Sequence, residues 1–153
     1  MKNNSIKAMF SSATDMWATP QSFFDRYDRL YNFDLDVCAV ANNAKCKRYF
    51  SPEDDGLSQN WTGVCWMNPP YGREIGHWMK KAATESKKND ALIVCLVPAR
   101  TDTAWWHDWV IPHASTIEFV RGRIKFGGHM NSAPFPSAVV VYGKAASLVK
   151  AKT

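Results

Sequence analysis

The chain has 153 residues, 46% of them hydrophobic and 22% charged, a composition typical of one globular domain with a single hydrophobic core. Nineteen basic residues against fourteen acidic ones give a net charge of +5, which suits a polyanionic partner. The polar first fifteen residues argue against a secretory signal, no apolar run is long enough to span a membrane, and four cysteines without a CxxC pair argue against a metal site.

Helix and strand signals alternate between two expected loose tails, residues 1–15 and 144–153. The first predicted helix begins at Thr19-Pro20, with the Thr19 hydroxyl as a cap and Pro20 in the first turn. The further predicted elements, in chain order, are strands at Phe33–Cys38, Lys45–Phe50 and Gly63–Met67, a helix at Arg73–Lys88, a strand at Ala91–Val97, a helix at Thr101–Ile111, and strands at Thr116–Val120 and Ser137–Tyr142.

This alternation predicts an α/β fold with a mainly parallel sheet. The seven-residue apolar run Ala91–Val97 is typical of a strand that is covered on both faces. Ligands of such sheets bind at the carboxyl ends of the strands, and the polar motifs of this chain follow those ends. We expect a single domain over residues 1–153, in a reducing, cytoplasmic location.

The sharpest motif is Asn68-Pro69-Pro70-Tyr71, which follows the apolar run Gly63–Met67. Each proline fixes its own φ and pushes the preceding residue into extended conformation, so the loop is held in place before substrate arrives. The side-chain oxygen of Asn68 and the carbonyl of Pro69 can then accept from the two N–H bonds of one amine. This arrangement favours attack by a weakly nucleophilic amine such as adenine N6 on a sulfonium methyl. Tyr71 is expected to stack on an extruded base.

A simpler interpretation of the same tetrapeptide is a turn that ends a strand. In an arbitrary sequence that interpretation would be preferred. The strand before the motif, the helix after it and the cationic domain around it favour the catalytic interpretation.

Six blocks of the chain occur together in one order. They are Asp15–Pro20, Leu35–Ala39, Asn43–Cys46, Trp66–Gly72, Val97–Thr103 with Trp105-Trp106, and Ala133–Ser137. In these blocks the chain resembles the phage-type DNA N6-adenine methyltransferases (Dam type) from Trp17 to Tyr142. The resemblance implies S-adenosylmethionine as methyl donor, adenine in DNA as acceptor, and a compact Rossmann-like methyltransferase fold. It also implies that Asn68, Pro69, Pro70 and Tyr71 form the catalytic loop.

The region before the catalytic loop departs from the usual methyltransferase pattern. Only about thirty residues separate Asp36 from Asn68, so one of the two strand–helix units expected there must be shortened or missing. The chain also has no GxG motif for close approach to the donor, although Cys38 and Ala39 are small substitutes. No stretch is long enough for a separate target-recognition domain.

The donor site is expected at the end of the first strand and in the N-terminal block. Each residue has an alternative role: Asp36 as a polar strand end, Trp17 and Thr19 as part of a helix start, and Asp55, beside Asp54, as part of a solvated loop. A redox or nucleophilic role for Cys38 is disfavoured. The predicted donor-binding residues are Trp17, Thr19, Pro20, Asp36, Cys38, Ala39 and Asp55.

The predicted DNA contacts are cations, which neutralise phosphates, and tryptophans of the fifth block, together with a flap at Gly127–Pro136. Trp105 and Trp106 cannot both face the core from one helix, so one of them is expected to line the substrate cleft. The lysines Lys80, Lys81, Lys87 and Lys88 are expected only to solvate a helix. The predicted DNA-binding residues are Arg100, Trp105, Trp106, Arg121, Arg123 and Lys125.

Two other functions remain open from the residues alone. The Asn-Pro-Pro-Tyr motif also occurs in methyltransferases of RNA adenine and of glutamine amides in release factors, because these acceptors are also planar, weakly nucleophilic nitrogens. A catalytically silent nucleic-acid-binding module is the third hypothesis, favoured by the missing Gly-rich turn. The resemblance makes a short palindrome such as GATC a reasonable target, and protection of a phage genome against restriction a possible purpose.

Overall fold

The structure, a computed structural model, describes residues 17–127 and 131–144. The predicted tails lie outside the described residues except for Lys144, as do residues 128–130 of the predicted flap. The elements in chain order are α1 (Gln21–Tyr31), β1 (Leu35–Asp36), β2 (Arg48–Tyr49), a 3₁₀ helix (Gly56–Ser58), β3 (Val64–Met67), α2 (Ile75–Lys88), β4 (Leu92–Pro98), a π-helical turn (Trp106–Val110), β5 (Thr116–Phe119) and β6 (Ser137–Tyr142).

Six strands form one sheet in the order β2-β1-β3-β4-β6-β5. The pairs among β2, β1, β3 and β4 are parallel, whereas β6 runs antiparallel to both β4 and β5. The predicted α/β fold with a mainly parallel sheet is therefore confirmed. The run at β4 is wholly buried, but it pairs with a parallel strand on one side and an antiparallel one on the other.

The connection between β1 and β3 is short, as the sequence predicts. Between β1 and β3 the structure has one two-residue strand, β2, and one 3₁₀ turn, but no α-helix. β1 itself is shorter than predicted, although backbone hydrogen bonds from Asp34 to Val64 and from Val37 to Trp66 extend its pairing with β3. One strand–helix unit is thus reduced to a turn.

Two predicted helix features differ from the structure. Helix α1 begins at Gln21 with Pro20 as its N-cap residue and no side-chain cap, so the prediction that Thr19 caps it is wrong. The predicted helix Thr101–Ile111 consists of turns, two α-helical residues and a π-helical segment at Trp106–Val110, so it is not a regular α-helix.

The core lies between the sheet and its covering helices. Trp66 of β3 meets Phe24 of α1 edge to face, with ring centroids 5.2 Å apart. On α2, Trp78 stacks on Trp61 with ring centroids 6.1 Å apart. This packing holds the helices against the sheet. The parallel direction of β1, β3 and β4 brings Asp36, Asn68 and Ala99 to its carboxyl edge.

Candidate active site

A cavity opens at the carboxyl edge of the sheet. The empty space within it is about 600 Å³, a volume that includes open solvent at its mouth. Its walls come from the segment before α1, the ends of β1 and β3, and the loops beside β2. The lining residues are Trp17, Ala18, Thr19, Asp36, Cys38, Ala39, Val40, Asn43, Lys45, Pro52, Trp66, Asn68, Pro69 and Pro70.

The side-chain amide of Asn68 has a defined orientation. Its Nδ2 donates to the backbone carbonyl of Trp17 and, at 2.9 Å, to Oγ1 of Thr19. A carbonyl oxygen can only accept, so the nitrogen must face Trp17 and the oxygen must face away. Oδ1 of Asn68 is buried and has no hydrogen-bond partner in the described part of the chain.

The prolines and Tyr71 anchor the loop. Pro69 and Pro70 are buried and line the cavity. The ring of Tyr71 is only 4% exposed and packs edge to face against Phe126 and Phe135. Its hydroxyl donates to the carbonyl of Leu96 at 3.0 Å, and burial raises its pKa well above the usual value. In this structure Tyr71 is buried and does not line the cavity, so the stacking role stays a prediction.

Asp36 is a buried carboxylate at the end of β1. Its Oδ1 accepts from the backbone N–H of Cys38 at 3.2 Å, and its Oδ2 accepts from the backbone N–H of Lys45 at 3.0 Å. Desolvation raises its pKa to about 6 despite these two hydrogen bonds. Burial, aided by the negative charge of Asp36, also raises the pKa of the Cys38 thiol, which leaves that thiol protonated at neutral pH.

Residues 17–20, the segment before α1, form what we call the strap. Trp17 packs edge to face on Phe126 and Phe135, and Ala18 forms an antiparallel bridge with Gly127. Trp17 and Thr19 line the cavity as predicted for donor-binding residues, whereas Pro20 does not. The strap therefore joins the loop that contains Asn68 to the connection between β5 and β6.

In the acidic loop after β2, neither Asp54 nor Asp55 lines the cavity. Asp54 is exposed and accepts from the backbone and hydroxyl of Ser51, which lowers its pKa. Asp55 is exposed with φ 55° and precedes the 3₁₀ helix, outside the cavity lining. The prediction of Asp55 as a donor-binding residue is therefore not met in this structure, because the loop turns its carboxylate to solvent; Pro52 lines the cavity instead.

Lys45 is the main functional candidate that sequence reasoning missed. It lines the cavity, its Nζ donates to Oε1 of Gln21 at 3.0 Å, and burial lowers its pKa. It lies in the block Asn43–Cys46, which carried part of the resemblance without being given a role. Its position three residues before β2 was the available signal. The other lining residues that were missed are Ala18, Val40, Asn43, Pro52 and Trp66.

The predicted DNA-binding cations are exposed, and their segments begin at the same edge of the sheet as the cavity. In the segment after β5, Ile124 and Phe126 are buried, while Arg121, Arg123 and Lys125 face solvent. The Arg100 guanidinium lies 5.8 Å from the ring centroid of Phe135, which also contacts Trp17 of the strap. All four cations thus lie in segments that follow β4 or β5, two strands that end at the edge where the cavity opens.

Trp105 and Trp106 differ in burial, as the sequence predicts. Trp106 is 3% exposed and stacks on Phe119 with ring centroids 6.3 Å apart, so its prediction as a DNA contact is wrong. Trp105 is half-buried against Trp106 and near Gly76, and it does not line the described cavity. A cleft-lining role for Trp105 stays a prediction.

Within residues 17–127 and 131–144, no group of three or more His, Cys, Asp or Glu side chains is placed to hold a metal ion. None of the helices there is long and apolar enough to cross a bilayer.

The order of the strands and the cavity at their carboxyl ends define a Rossmann-like methyltransferase fold. A model of the family described as DNA N-6-adenine-methyltransferase (Dam) matches residues 7–146. A DNA N-6-adenine-methyltransferase of Haemophilus phage HP1 is 34% identical over 119 residues, which cover 75% of this chain and 68% of the relative. One of Escherichia phage T1 is 33% identical over 95 residues, covering 60% of this chain and 39% of the relative.

The chain therefore belongs to the Dam family of DNA N-6-adenine-methyltransferases. This membership confirms the resemblance stated from the sequence blocks and the predicted enzyme class, an adenine-specific DNA methyltransferase. The match to the family model covers most of the chain, including every residue of the cavity lining.

Proposed function

We propose that this chain transfers a methyl group from S-adenosylmethionine to N6 of an adenine flipped out of duplex DNA, with Asn68 and Pro69 as the groups that bind the amine. The observation that carries the proposal is the buried Oδ1 of Asn68, which has no partner among the described residues. Leaving such an acceptor unpaired costs about 1–3 kcal/mol, and an arriving N–H bond offsets this cost.

The two acceptors match the two hydrogens of one amine. Asn68 offers Oδ1, and among the described residues no N–H donates to the carbonyl of Pro69. Two hydrogen bonds draw the amine away from planarity, which frees its lone pair for attack and stabilises the positive charge that develops on nitrogen. Because Oδ1 is shielded from solvent, the base must displace a neighbouring group to reach it.

The cavity residues fit the proposed donor. When bound, S-adenosylmethionine supplies an electrophilic methyl group, because its sulfur leaves with the electron pair of the carbon–sulfur bond. Asp36 would hold the cationic amino group of the donor, since it is a buried carboxylate that lines the cavity. Cys38 and Ala39 leave room for the ligand beside the strand end, and Lys45 would face the donor carboxylate.

The DNA would lie across the loops at the carboxyl edge. Arg121, Arg123, Lys125 and Arg100 are exposed there and would bind phosphates. A flipped base entering between these cations would reach Asn68 over the strap. Trp105 is half-buried and is the remaining aromatic candidate for contact with the base or a neighbouring nucleotide.

Family membership supports DNA adenine as the acceptor over RNA adenine or a glutamine amide, and it argues against a silent binding module. Methyl transfer from labelled donor should therefore be compared on duplex DNA, on RNA and on a glutamine-containing release-factor peptide. Sequencing of modified adenines in DNA from cells that overproduce the protein identifies the recognition sequence, with GATC as the first expectation.

The deciding variant is Asn68→Ala. We expect methylation of DNA to fall by about 10²–10³-fold, the size of effect of removing one oxygen or donor that acts mainly in the transition state. Asn60→Ala is the matched control, because Asn60 is exposed and its side chain accepts a hydrogen bond only from Lys88 among the described residues. Both variants should keep the wild-type circular dichroism. Wild-type activity in Asn68→Ala, or no N6-methyladenine on any DNA with the wild-type protein, overturns the proposal.

A further inference from the structure

The hydroxyl of Thr19 is used by the catalytic loop and not by the helix that follows it. Thr19 is 5% exposed, and its Oγ1 accepts from Nδ2 of Asn68 at 2.9 Å across 49 residues of sequence. Helix α1 has Pro20 at its N-cap and no side-chain cap. A threonine before a helix is ordinarily explained by capping, so its contact with Asn68 requires another explanation.

Together with Trp17, Thr19 satisfies the whole donor capacity of the Asn68 amide. The two hydrogens of Nδ2 go to the Trp17 carbonyl and to the Thr19 hydroxyl. Rotation of the amide by 180° would direct its oxygen at the Trp17 carbonyl, and two acceptors repel each other. The oxygen Oδ1 is therefore the one atom of the amide left without a partner in the described residues.

The strap owes its position to contacts other than those with Asn68. The backbone N–H of Gly127 donates to the carbonyl of Ala18 at 2.9 Å. The ring centroid of Trp17 lies 5.5 Å from that of Phe126 and 5.0 Å from that of Phe135. Because these contacts hold the strap, Thr19 can act as a fixed point for the amide, and preorganised dipoles contribute most when nothing has to reorient during the reaction.

We propose that Thr19 is a positioning residue for methyl transfer: its hydroxyl, with the Trp17 carbonyl, locks the Asn68 amide so that Oδ1 is presented to the amine. This inference rests on the proposed function of Asn68. It replaces the direct donor-binding role predicted for Thr19 from the sequence, and it makes the strap a part of the catalytic apparatus.

Two variants test the inference. Thr19→Val removes the hydroxyl and keeps the branched shape, whereas Thr19→Ser keeps the hydroxyl. At saturating donor and DNA, we expect Thr19→Val to lower the single-turnover rate about tenfold, the factor that one hydrogen bond of ordinary strength supplies. Thr19→Ser should stay within about twofold of the wild type. Thermal unfolding of both variants shows that each is folded.

Three further measurements separate positioning from a general structural effect. Donor and DNA dissociation constants, by calorimetry and fluorescence anisotropy, should stay within about twofold in Thr19→Val. In an Asn68→Ala background, Thr19→Val should cause no further loss of rate, because the group it positions is absent. In ¹⁵N spectra the side-chain NH₂ signals of Asn68, assigned by their absence in Asn68→Ala, should exchange faster with solvent in Thr19→Val.

The outcomes are distinct. Equal losses in Thr19→Val and Thr19→Ser, or the same loss with and without Asn68, overturn the inference. A weaker donor affinity with an unchanged rate at saturation assigns Thr19 to donor binding and also overturns it. Full activity of Asn68→Ala is the separate result that removes the proposed function itself.

Discussion

The raised pKa of Asp36 makes the stability of this protein depend on pH in a defined direction. The carboxyl is 3% exposed at the end of β1, and desolvation raises its pKa from 3.8 to about 6. A carboxyl with a higher pKa in the folded state binds more protons there than in the unfolded chain at intermediate pH. The contribution of Asp36 is thus most favourable below about pH 4 and is lost as the pH rises through about 6.

The size of the effect follows from the shift. About two pKa units at about 1.4 kcal/mol each correspond to about 3 kcal/mol between the two ends of this range. Asp36→Asn cannot ionise, so it lacks this dependence. It also has one oxygen for the two backbone N–H groups of Cys38 and Lys45, and that loss is the same at every pH.

Urea unfolding of both proteins, followed by tryptophan fluorescence in steps from pH 4 to 7, measures the difference. We expect the free energy of unfolding of the wild type, relative to Asp36→Asn, to fall by about 3 kcal/mol over this range. If the proposed contact with the donor amino group exists, donor affinity should rise with pH and level off above about pH 6. A flat difference curve, or one that rises with pH, refutes the reasoning about Asp36.

Three further outcomes are expected. Arg123→Ala with Lys125→Ala should weaken DNA binding similarly for all sequences and reduce the slope of log K against log salt by about 2, as measured by anisotropy. Lys45→Met should raise the donor dissociation constant about tenfold by calorimetry, because the variant lacks the partly buried ammonium that would pair with the donor carboxylate. Tyr71→Phe should lower the free energy of unfolding by about 1 kcal/mol, since it loses the bond to Leu96, and leave DNA affinity unchanged.

Matched variants serve as controls for the first two of these predictions. Lys87→Ala with Lys88→Ala removes two exposed charges at the end of α2, at the opposite edge of the sheet, and should leave the salt slope unchanged. Lys47→Met removes an exposed lysine outside the cavity lining and should leave donor affinity unchanged. An equal effect of control and test variant in either pair contradicts the corresponding assignment, as does a loss of DNA affinity in Tyr71→Phe.

The sequence by itself determined the features that depend on neighbouring residues. Alternating apolar runs and helical spacing predict the order of the elements, and the parallel direction of β1, β3 and β4 then brings Asp36 and Asn68 to one edge. The two prolines restrict the loop after β3 whatever surrounds it. The 31 residues between Asp36 and Asn68 are too few for two complete strand–helix units, and this was evident from the sequence.

Only the tertiary structure decided which side chains face a ligand and which face each other. Tyr71 and Trp106 look available in the sequence, but both are buried and pack against rings of other segments. The hydroxyl of Thr19 bonds to Asn68 and not to its own helix, because the strap is held by the packing of Trp17 on Phe126 and Phe135. Local patterns set backbone conformation, whereas burial and hydrogen-bond partners depend on contacts between residues far apart in the chain.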